Sequence, residues 1–218
     1  MRTFPPLALA LVLASCESSP VGRQKEDAGQ VDAVSPLWLH PDSENWHQIQ
    51  FGGEGSAQWS EGVLRLDAGV ELTGTQYRGA LPKIPYELEL EARKVSGADF
   101  FCGLTFPVAS PDECLTLIVG GWGGGTVGIS SIDGKDASEN ETTSYSHFES
   151  GKWYAIRLRV ESGRLEVLID GEAVVDLPTK GRQLGLRPGL IEACAPLGLA
   201  AWQTASEIRG LRWRSLAD

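Results

Sequence analysis

Residues 152–176 read KWYAIRLRVESGRLEVLIDGEAVVD and give the strongest indication of the fold class. Its first part alternates apolar residues with arginines, and the apolar ones are Tyr154, Ile156, Leu158 and Val160. A period of two is typical of a β-strand with one face packed inward. A second alternating run ends at Asp170-Gly171, a pair suited to the positive φ angles of a type I′ hairpin turn. The segment therefore predicts successive antiparallel strands joined by tight turns.

Earlier segments extend the same pattern. Between residues 84 and 93, an apolar face of Tyr86, Leu88, Leu90 and Ala92 alternates with Glu87, Glu89, Glu91 and Arg93. The continuous apolar runs 100–108 and 115–119 predict strands in the middle of a sheet, covered on both faces. We find no amphipathic helical window of useful length and no repeat of 20–50 residues. The chain is predicted to be all-β, a sandwich of two antiparallel sheets.

The first 36 residues predict an exported protein held at a membrane. Arg2 precedes an apolar run, 7–13, which is too short to span a bilayer. The run ends in Leu13-Ala14-Ser15-Cys16, which resembles the lipobox of bacterial lipoproteins and predicts acylation of Cys16. We therefore expect a signal peptide at 1–15 and a disordered tether at 16–36. The product would be anchored in the outer membrane or at the periplasmic face.

Residues 37–218 are long enough for one domain with a substantial core. The formal net charge of −10 argues against nucleic acid as a partner and favours neutral ligands. Cys102, Cys114 and Cys194 are interpreted as buried thiols, and a Cys102–Cys114 disulfide is the alternative. Metal-ligand spacing of the zinc type is absent from the sequence, so no metal or cofactor is predicted. Calcium is an alternative, because oxygen ligands are plentiful in the tract 133–144.

The stretch 120–125, which reads GGWGGG, is the predicted site. Trp122 stands among residues that have no side chains to bury it, so its flat apolar face is available to a sugar ring. Donors and acceptors for sugar hydroxyls would come from the polar residues that follow it. The candidates are Asp133, Glu139, Asn140, Glu141 and His147. The alternative interpretation of this tract is a solvated loop with Asx-turns.

Several of these motifs also resemble a known family. Residues 151–160 and 168–176, together with Trp59 to Leu64, Tyr86 to Leu90 and the closing run 208–216, are similar to the 3-keto-disaccharide hydrolase domain family. This family belongs to the concanavalin A-like lectin/glucanase superfamily, so the resemblance implies a jelly-roll β-sandwich. The family's Asn-Ser-Gly turn is replaced here by the sequence at 99–103, DFFCG.

The resemblance implies cleavage of 3-keto-glycosides by elimination, in which a base removes the proton beside the ketone and water then adds. Glu87, Glu89 or Glu141 would be that base. A non-catalytic carbohydrate-binding or cell-surface interaction module is the first alternative. The second is a retaining endoglucanase built on Glu87 and Glu91, because carboxylates on one strand face resemble the Glu-x-Asp-x-Glu motif of those enzymes. Glu89 replaces the Asp of that motif, and the structural interpretation of these glutamates is the polar face of a half-exposed strand.

Overall fold

The protein is described by a computed structural model, which covers residues 37–110 and 112–217. The predicted signal peptide, the lipidation site Cys16 and the tether lie outside the described residues. Within them the chain forms fourteen strands, two short 3₁₀ helices at Ser43–Asn45 and Leu190–Cys194, and one irregular helical turn at Gly121–Gly124. In chain order the strands are β1 (Trp46–Gln48), β2 (Ala57–Ser60), β3 (Val63–Leu66), β4 (Leu72–Tyr77), β5 (Tyr86–Ser96), β6 (Cys102–Pro107), β7 (Cys114–Gly120), β8 (Thr126–Ser130), β9 (Ser144–Tyr145), β10 (Tyr154–Glu161), β11 (Arg164–Ile169), β12 (Glu172–Pro178), β13 (Gly198–Trp202) and β14 (Ala205–Ser215).

The strands form two seven-stranded sheets, and within each sheet all neighbouring strands are antiparallel. The first sheet has the order β1-β4-β13-β6-β7-β8-β9, and the second has the order β12-β11-β10-β5-β14-β3-β2. The prediction of an antiparallel jelly-roll β-sandwich is confirmed. Nothing in the described part of the chain is a helix long and apolar enough to cross a membrane.

The predicted hairpins and alternation explain the second sheet. Strand β10 pairs with β5 so that Leu158 lies opposite Leu88, and both side chains are fully buried. Asp170 and Gly171 connect β11 to β12 with φ angles of 50° and 85°, as a type I′ turn requires. The inward faces of these strands thus make one wall of the core.

The other wall comes from β6 and β7, every residue of which is buried, as predicted for central strands. Leu104, Leu117 and Ile129 face the second sheet as part of the core between the sheets. A smaller apolar cluster lies on the opposite face of the first sheet, where Leu72 and Ala200 pack with Leu190 and Ile191. This cluster fixes the 3₁₀ helix Leu190–Cys194 against the sheet and builds one side of the candidate site.

The cysteines agree with the prediction of buried thiols. Cys102 and Cys194 are free and fully buried, so the alternative Cys102–Cys114 disulfide is not formed. Burial raises the pKa of both Cys102 and Cys194 to about 12. Cys114 is also buried, and its thiol donates to the carbonyl oxygen of Pro196 at 3.5 Å.

Candidate functional site

The glycine-rich stretch forms a tight turn between β7 and β8. Gly120, Gly123 and Gly124 have φ angles of 83°, 88° and 99°, and Trp122 itself has φ 47° and ψ 60°. A run of left-handed conformations is accessible mainly to glycine, so this turn needs its composition. A Cβ at Gly120 would lie 2.8 Å from the ring of Phe101. The result is a turn that leaves the Trp122 side chain 45% exposed.

Trp122 borders a groove of about 400 Å³ on the outer face of the first sheet. The floor is made by Thr116 and Ile118 of β7 and Ser130 of β8, whose side chains point away from the core between the sheets. The groove also includes the half-buried ring of Trp202 at the end of β13. The remaining lining residues are Glu71, Leu72, Asp99, Phe100, Asp136, Arg187, Pro188, Leu190 and Ile191.

Two aspartates in the groove are held in defined positions. The Asp99 carboxylate accepts a hydrogen bond from the Phe100 amide at 2.7 Å. The Asp99 amide donates to the Thr204 hydroxyl, and this hydroxyl donates to the Asp99 carbonyl oxygen. Asp136 accepts from the Ala137 amide at 2.7 Å through one oxygen, and its other oxygen is 2.8 Å from Arg187 Nη1. Asp99 makes no ion pair with any residue that the structure describes. The groove therefore combines aromatic rings with fixed carboxylates, one of them paired.

The floor contains an unsatisfied polar group. Ser130 is only 3% exposed, and its hydroxyl has no hydrogen-bond partner among residues 37–110 and 112–217. Leaving a buried hydroxyl unpaired costs about 1–3 kcal/mol, so such groups are often completed by a ligand or a water. Ser130 thus contributes an enclosed polar group to the floor of the groove.

Asp133 and Glu141, both predicted to be site residues, lie on the loop after β8 and are joined by Arg182. Asp133 accepts from the Gln183 amide at 2.8 Å and from Arg182 Nε at 2.7 Å, and Glu141 is paired with Arg182 Nη1. The Gln183 amide is the main cause of a lowered pKa at Asp133, and the hydrogen bond from Arg182 is the main cause at Glu141. A carboxylate with a lowered pKa is a poor proton acceptor, so this geometry argues against Glu141 as a general base.

The Asn140 side chain is buried and hydrogen-bonded to its own loop and to β8. Its amide nitrogen donates to the carbonyl oxygens of Ile129 and Asp136 at 2.7 Å, and its oxygen accepts from the Thr142 amide and hydroxyl. The residue is 9% exposed. These bonds use the side chain to hold the loop, as the alternative interpretation of the tract predicted, and leave it unavailable to a ligand. Glu139 and His147 are exposed and are not part of the groove lining.

Glu87 and Glu89, the other predicted bases, lie on the second sheet, in rows of ion pairs across three strands. Glu87 is fully buried between Arg159 at 2.9 Å and Arg214 at 2.7 Å. Glu89 lies between Arg157 and Arg212, each at 2.7 Å. Burial raises the pKa of Glu89, but the hydrogen bonds from Arg212 and Arg157 outweigh it and the pKa is lowered.

This geometry argues against catalysis by these glutamates. A fully buried Glu87 cannot reach a substrate, and a carboxylate already held by two guanidinium groups is a weak nucleophile and base. Glu91, the second carboxylate of the endoglucanase alternative, pairs with Arg209 at 2.8 Å. Glu89 and Glu91 do border a concavity of about 420 Å³ with His40. The Trp122 groove lies on the other sheet, so these carboxylates do not belong to it.

The groove contains residues that the sequence did not single out as ligands. Trp202, Arg187 and Asp99 come from three distant parts of the chain and meet only in the fold. A signal did exist for Asp99, since it occupies the turn where the chain departs from the similar family. In the described part of the chain, no cluster of three or more His, Cys, Asp or Glu side chains is arranged to hold a metal ion.

Comparison with known proteins shows likeness of fold. No protein-family model and no curated protein matches the sequence. Among solved structures, the chain is similar to the carbohydrate-binding module CBM66 from Bacillus subtilis (11% identity, TM-score 0.50, covering 78% of this chain and 96% of that one). It is also similar to a Crh5 transglycosylase in complex with NAG (11%, 0.56, 85% and 86%) and to the exoplasmic/lumenal domain of VIP36 in a Ca²⁺/Man-bound form (12%, 0.53, 80% and 84%).

Proposed function

We propose that this protein binds uncharged carbohydrate in the Trp122 groove. The observation that carries the proposal is the partly exposed Trp122 ring at a groove of about 400 Å³ that also contains Asp99 and Asp136. A volume of this size is within the range of small-molecule sites. A pyranose has one apolar face and a rim of hydroxyls, which suits an indole face beside fixed acceptors.

The charge of the groove supports a neutral ligand. Glu71, Asp99 and Asp136 contribute three carboxylates against the single guanidinium of Arg187. A uronate or sulfated sugar would bring a further negative charge into this environment, at an electrostatic cost. The names of the similar structures, which include a carbohydrate-binding module and a mannose-bound domain, agree with a sugar ligand.

A glycan array carrying neutral and uronate-bearing oligosaccharides tests the proposal. We expect the purified protein to bind at least one neutral glycan and to bind its uronate analogue more weakly. Asp99→Asn should reduce the difference in affinity between the neutral glycan and its uronate analogue, because it removes a carboxylate that has no ion-pair partner among the described residues. Asp67→Asn on an exposed loop should leave this difference unchanged. Binding that is confined to acidic glycans would contradict the proposal.

A second candidate function is elimination from a 3-keto-glycoside, which the family resemblance implies. The specific observation in its favour is Asp99, a half-buried carboxylate in the groove that makes no ion pair with any described residue. In this proposal Asp99 takes the proton from the carbon beside the ketone, and the C–H electron pair forms a C=C bond as the glycosidic C–O bond breaks. Asp99 then gives this proton to the departing alkoxide, and water adds across the C=C bond, its oxygen to the anomeric carbon and a proton to the carbon beside the ketone.

Incubation with a 3-keto-disaccharide, followed by chromatography of the released sugar, tests this activity. Asp99→Asn is expected to lower kcat by at least about 100-fold, which is typical of losing a general base. Glu141→Gln is the matched control, because its carboxylate is exposed and paired with Arg182. Equal activity in Asp99→Asn would contradict the role of Asp99, and inactivity of the unmodified protein would contradict the hydrolase function.

We also propose that the chain is exported and acylated at Cys16, as the sequence motif indicates. Metabolic labelling of the full chain with a fatty-acid analogue is expected to mark the protein and to place it in the membrane fraction. Cys16→Ala should abolish the label. A labelled Cys16→Ala variant, or an unlabelled parent, would overturn the proposed anchor.

A further inference from the structure

The exposed aromatic side chains in the described part of the chain lie in one region. Among the described residues, six large apolar side chains are exposed, and only two of them, Trp122 and Tyr145, are aromatic. Trp122 borders the groove, whereas Tyr145 lies outside it on the edge strand β9 and is 77% exposed. The other four exposed residues are Leu37, Leu39, Val70 and Val95.

The strand register places Tyr145 close to the turn that carries Trp122. Thr126 of β8 pairs with Tyr145 on one side and forms a bridge with Gly121 on the other. The Ser146 amide also donates to the Gly125 carbonyl at 2.9 Å. Two strand spacings separate Gly121 from Tyr145, which puts their Cα atoms on the order of 10 Å apart.

Tyr145 and the groove share one face of the sheet. Val127 and Ile129 of β8 point into the core, so Thr126 and Ser130 point to the outer face. Directly opposite residues of an antiparallel pair project to the same side, so Tyr145 also lies on the outer face. The residue directly opposite Tyr145 on this face is the polar Thr126, and the residues flanking it in the chain, Ser144, Ser146 and His147, are polar as well.

We infer that Tyr145 is a distal subsite for a glycan chain whose inner sugar occupies the Trp122 groove. This inference rests on the proposed function of the groove. A lone tyrosine with an exposed ring and hydroxyl suits a sugar, which offers an apolar face and hydroxyls. A docked protein would instead be expected to cover a contiguous apolar patch. The groove therefore holds the inner sugar of the glycan, and Tyr145 at the β9 edge contacts a sugar farther along the same glycan.

Isothermal titration with two lengths of the same neutral glycan tests the subsite. The probes are the disaccharides and hexasaccharides of the cello-, laminari-, malto- and xylo- series, and the hexasaccharide with the highest affinity is chosen. Tyr145→Ala is expected to weaken hexasaccharide binding roughly 3- to 10-fold, the size of one aromatic contact, and to leave the disaccharide unchanged. Tyr145→Phe should retain most of the affinity. Val95→Ala, an exposed apolar residue on another strand, is the control.

The outcomes separate this inference from the proposed function. If the hexasaccharide binds, Trp122→Ala weakens it and Tyr145→Ala has no effect, the distal subsite is wrong and the groove assignment stands. If Tyr145→Ala weakens both lengths equally, Tyr145 belongs to the inner site and the inference is also overturned. If none of the glycans binds the parent protein, the proposed function and the subsite fall together.

Discussion

At the scale of single residues, the turn 120–125 shows how composition creates a site. Every glycine with a left-handed φ in it lets the chain reverse between two buried strands without placing a side chain beside Trp122. The backbone of Trp122 is itself left-handed, which is uncommon for a bulky residue. This conformation destabilises the turn, and it places the Trp122 ring at the groove.

Two glycine substitutions separate backbone strain from steric conflict in this turn. Gly120→Ala and Gly123→Ala both place a Cβ on a residue with positive φ, but only the Cβ at Gly120 meets Phe101. We expect Gly123→Ala to lower the free energy of unfolding by about 1 kcal/mol and Gly120→Ala by about 2–4 kcal/mol. Urea unfolding measures both, and equal losses would show that the contact with Phe101 does not matter.

Asn140 provides a test of the loop that follows. Asn140→Ala removes donors to buried carbonyls and an acceptor for Thr142, so we expect a loss of about 2 kcal/mol or more in the free energy of unfolding. The exposed neighbour Glu139→Ala should change it by no more than about 0.5 kcal/mol. Unfolding midpoints that coincide for the two variants would contradict the structural role given to Asn140.

At the scale of elements, strand β5 organises the outer face of the second sheet. Its glutamates alternate with core residues, and Glu87 and Glu89 each lie between an arginine of β10 and an arginine of β14. Tryptophan rings cover part of this array, since Trp38 stacks on Arg212 and Arg214. The same Glu-x-Glu spacing that resembles a catalytic motif therefore serves to tie three strands together.

The pH dependence of stability follows from the lowered pKa of Glu89. A carboxyl whose folded pKa lies below its unfolded value, about 4.3, stabilises the protein above that pH, and the contribution is lost as the pH falls through the folded pKa. We expect Glu89→Gln to be less stable than the parent at pH 7 and the difference to shrink towards pH 3. Denaturant unfolding at both pH values checks this, with the exposed Glu172→Gln as control. A difference that grows on acidification would contradict the ion-pair account.

The elements that the sequence predicted correctly are those whose periodicity reflects burial on one face. Strands β5 and β10 and the Asp170-Gly171 hairpin belong to this class. Strand β4 has no such periodicity, because Thr73, Gly74 and Thr75 are polar or small although they are buried in the sheet. The short edge strands β1 and β9 have only three and two residues, which is too few to show an alternation of apolar and polar side chains. They are strands because of their pairing with β4 and β8.

At the scale of the whole molecule, the two sheets present outer faces of different chemistry. The first has small residues, aromatic rings and a groove, and the second has a network of arginines and glutamates. Trp122 could be singled out from the sequence and borders the groove, but none of the five polar candidates between residues 133 and 147 lines it. The ion pairs of Asp133 and Asp136 could not be predicted, because their partners Arg182 and Arg187 lie about 50 residues away in sequence and meet them only in the fold.

The integrity of the sandwich can be followed through its thiols. With pKa values raised to about 12 and no exposed surface, Cys102 and Cys194 are expected to resist thiol-reactive reagents in the native protein and to react after unfolding. Mass spectrometry of a Cys16→Ala variant, labelled with and without denaturant, measures this. Rapid labelling of either cysteine under native conditions would contradict the fold at the core or beneath the 3₁₀ helix at Leu190–Cys194.

Carbohydrate binding at Trp122 is tested by calorimetric titration of the parent and of Trp122→Ala with the best neutral glycan. Trp122 is partly exposed, so its removal should leave the unfolding midpoint nearly unchanged. We expect the Kd of Trp122→Ala to be at least about tenfold larger, a loss of about 1.4 kcal/mol in binding free energy. The same affinity in both proteins would contradict binding at Trp122.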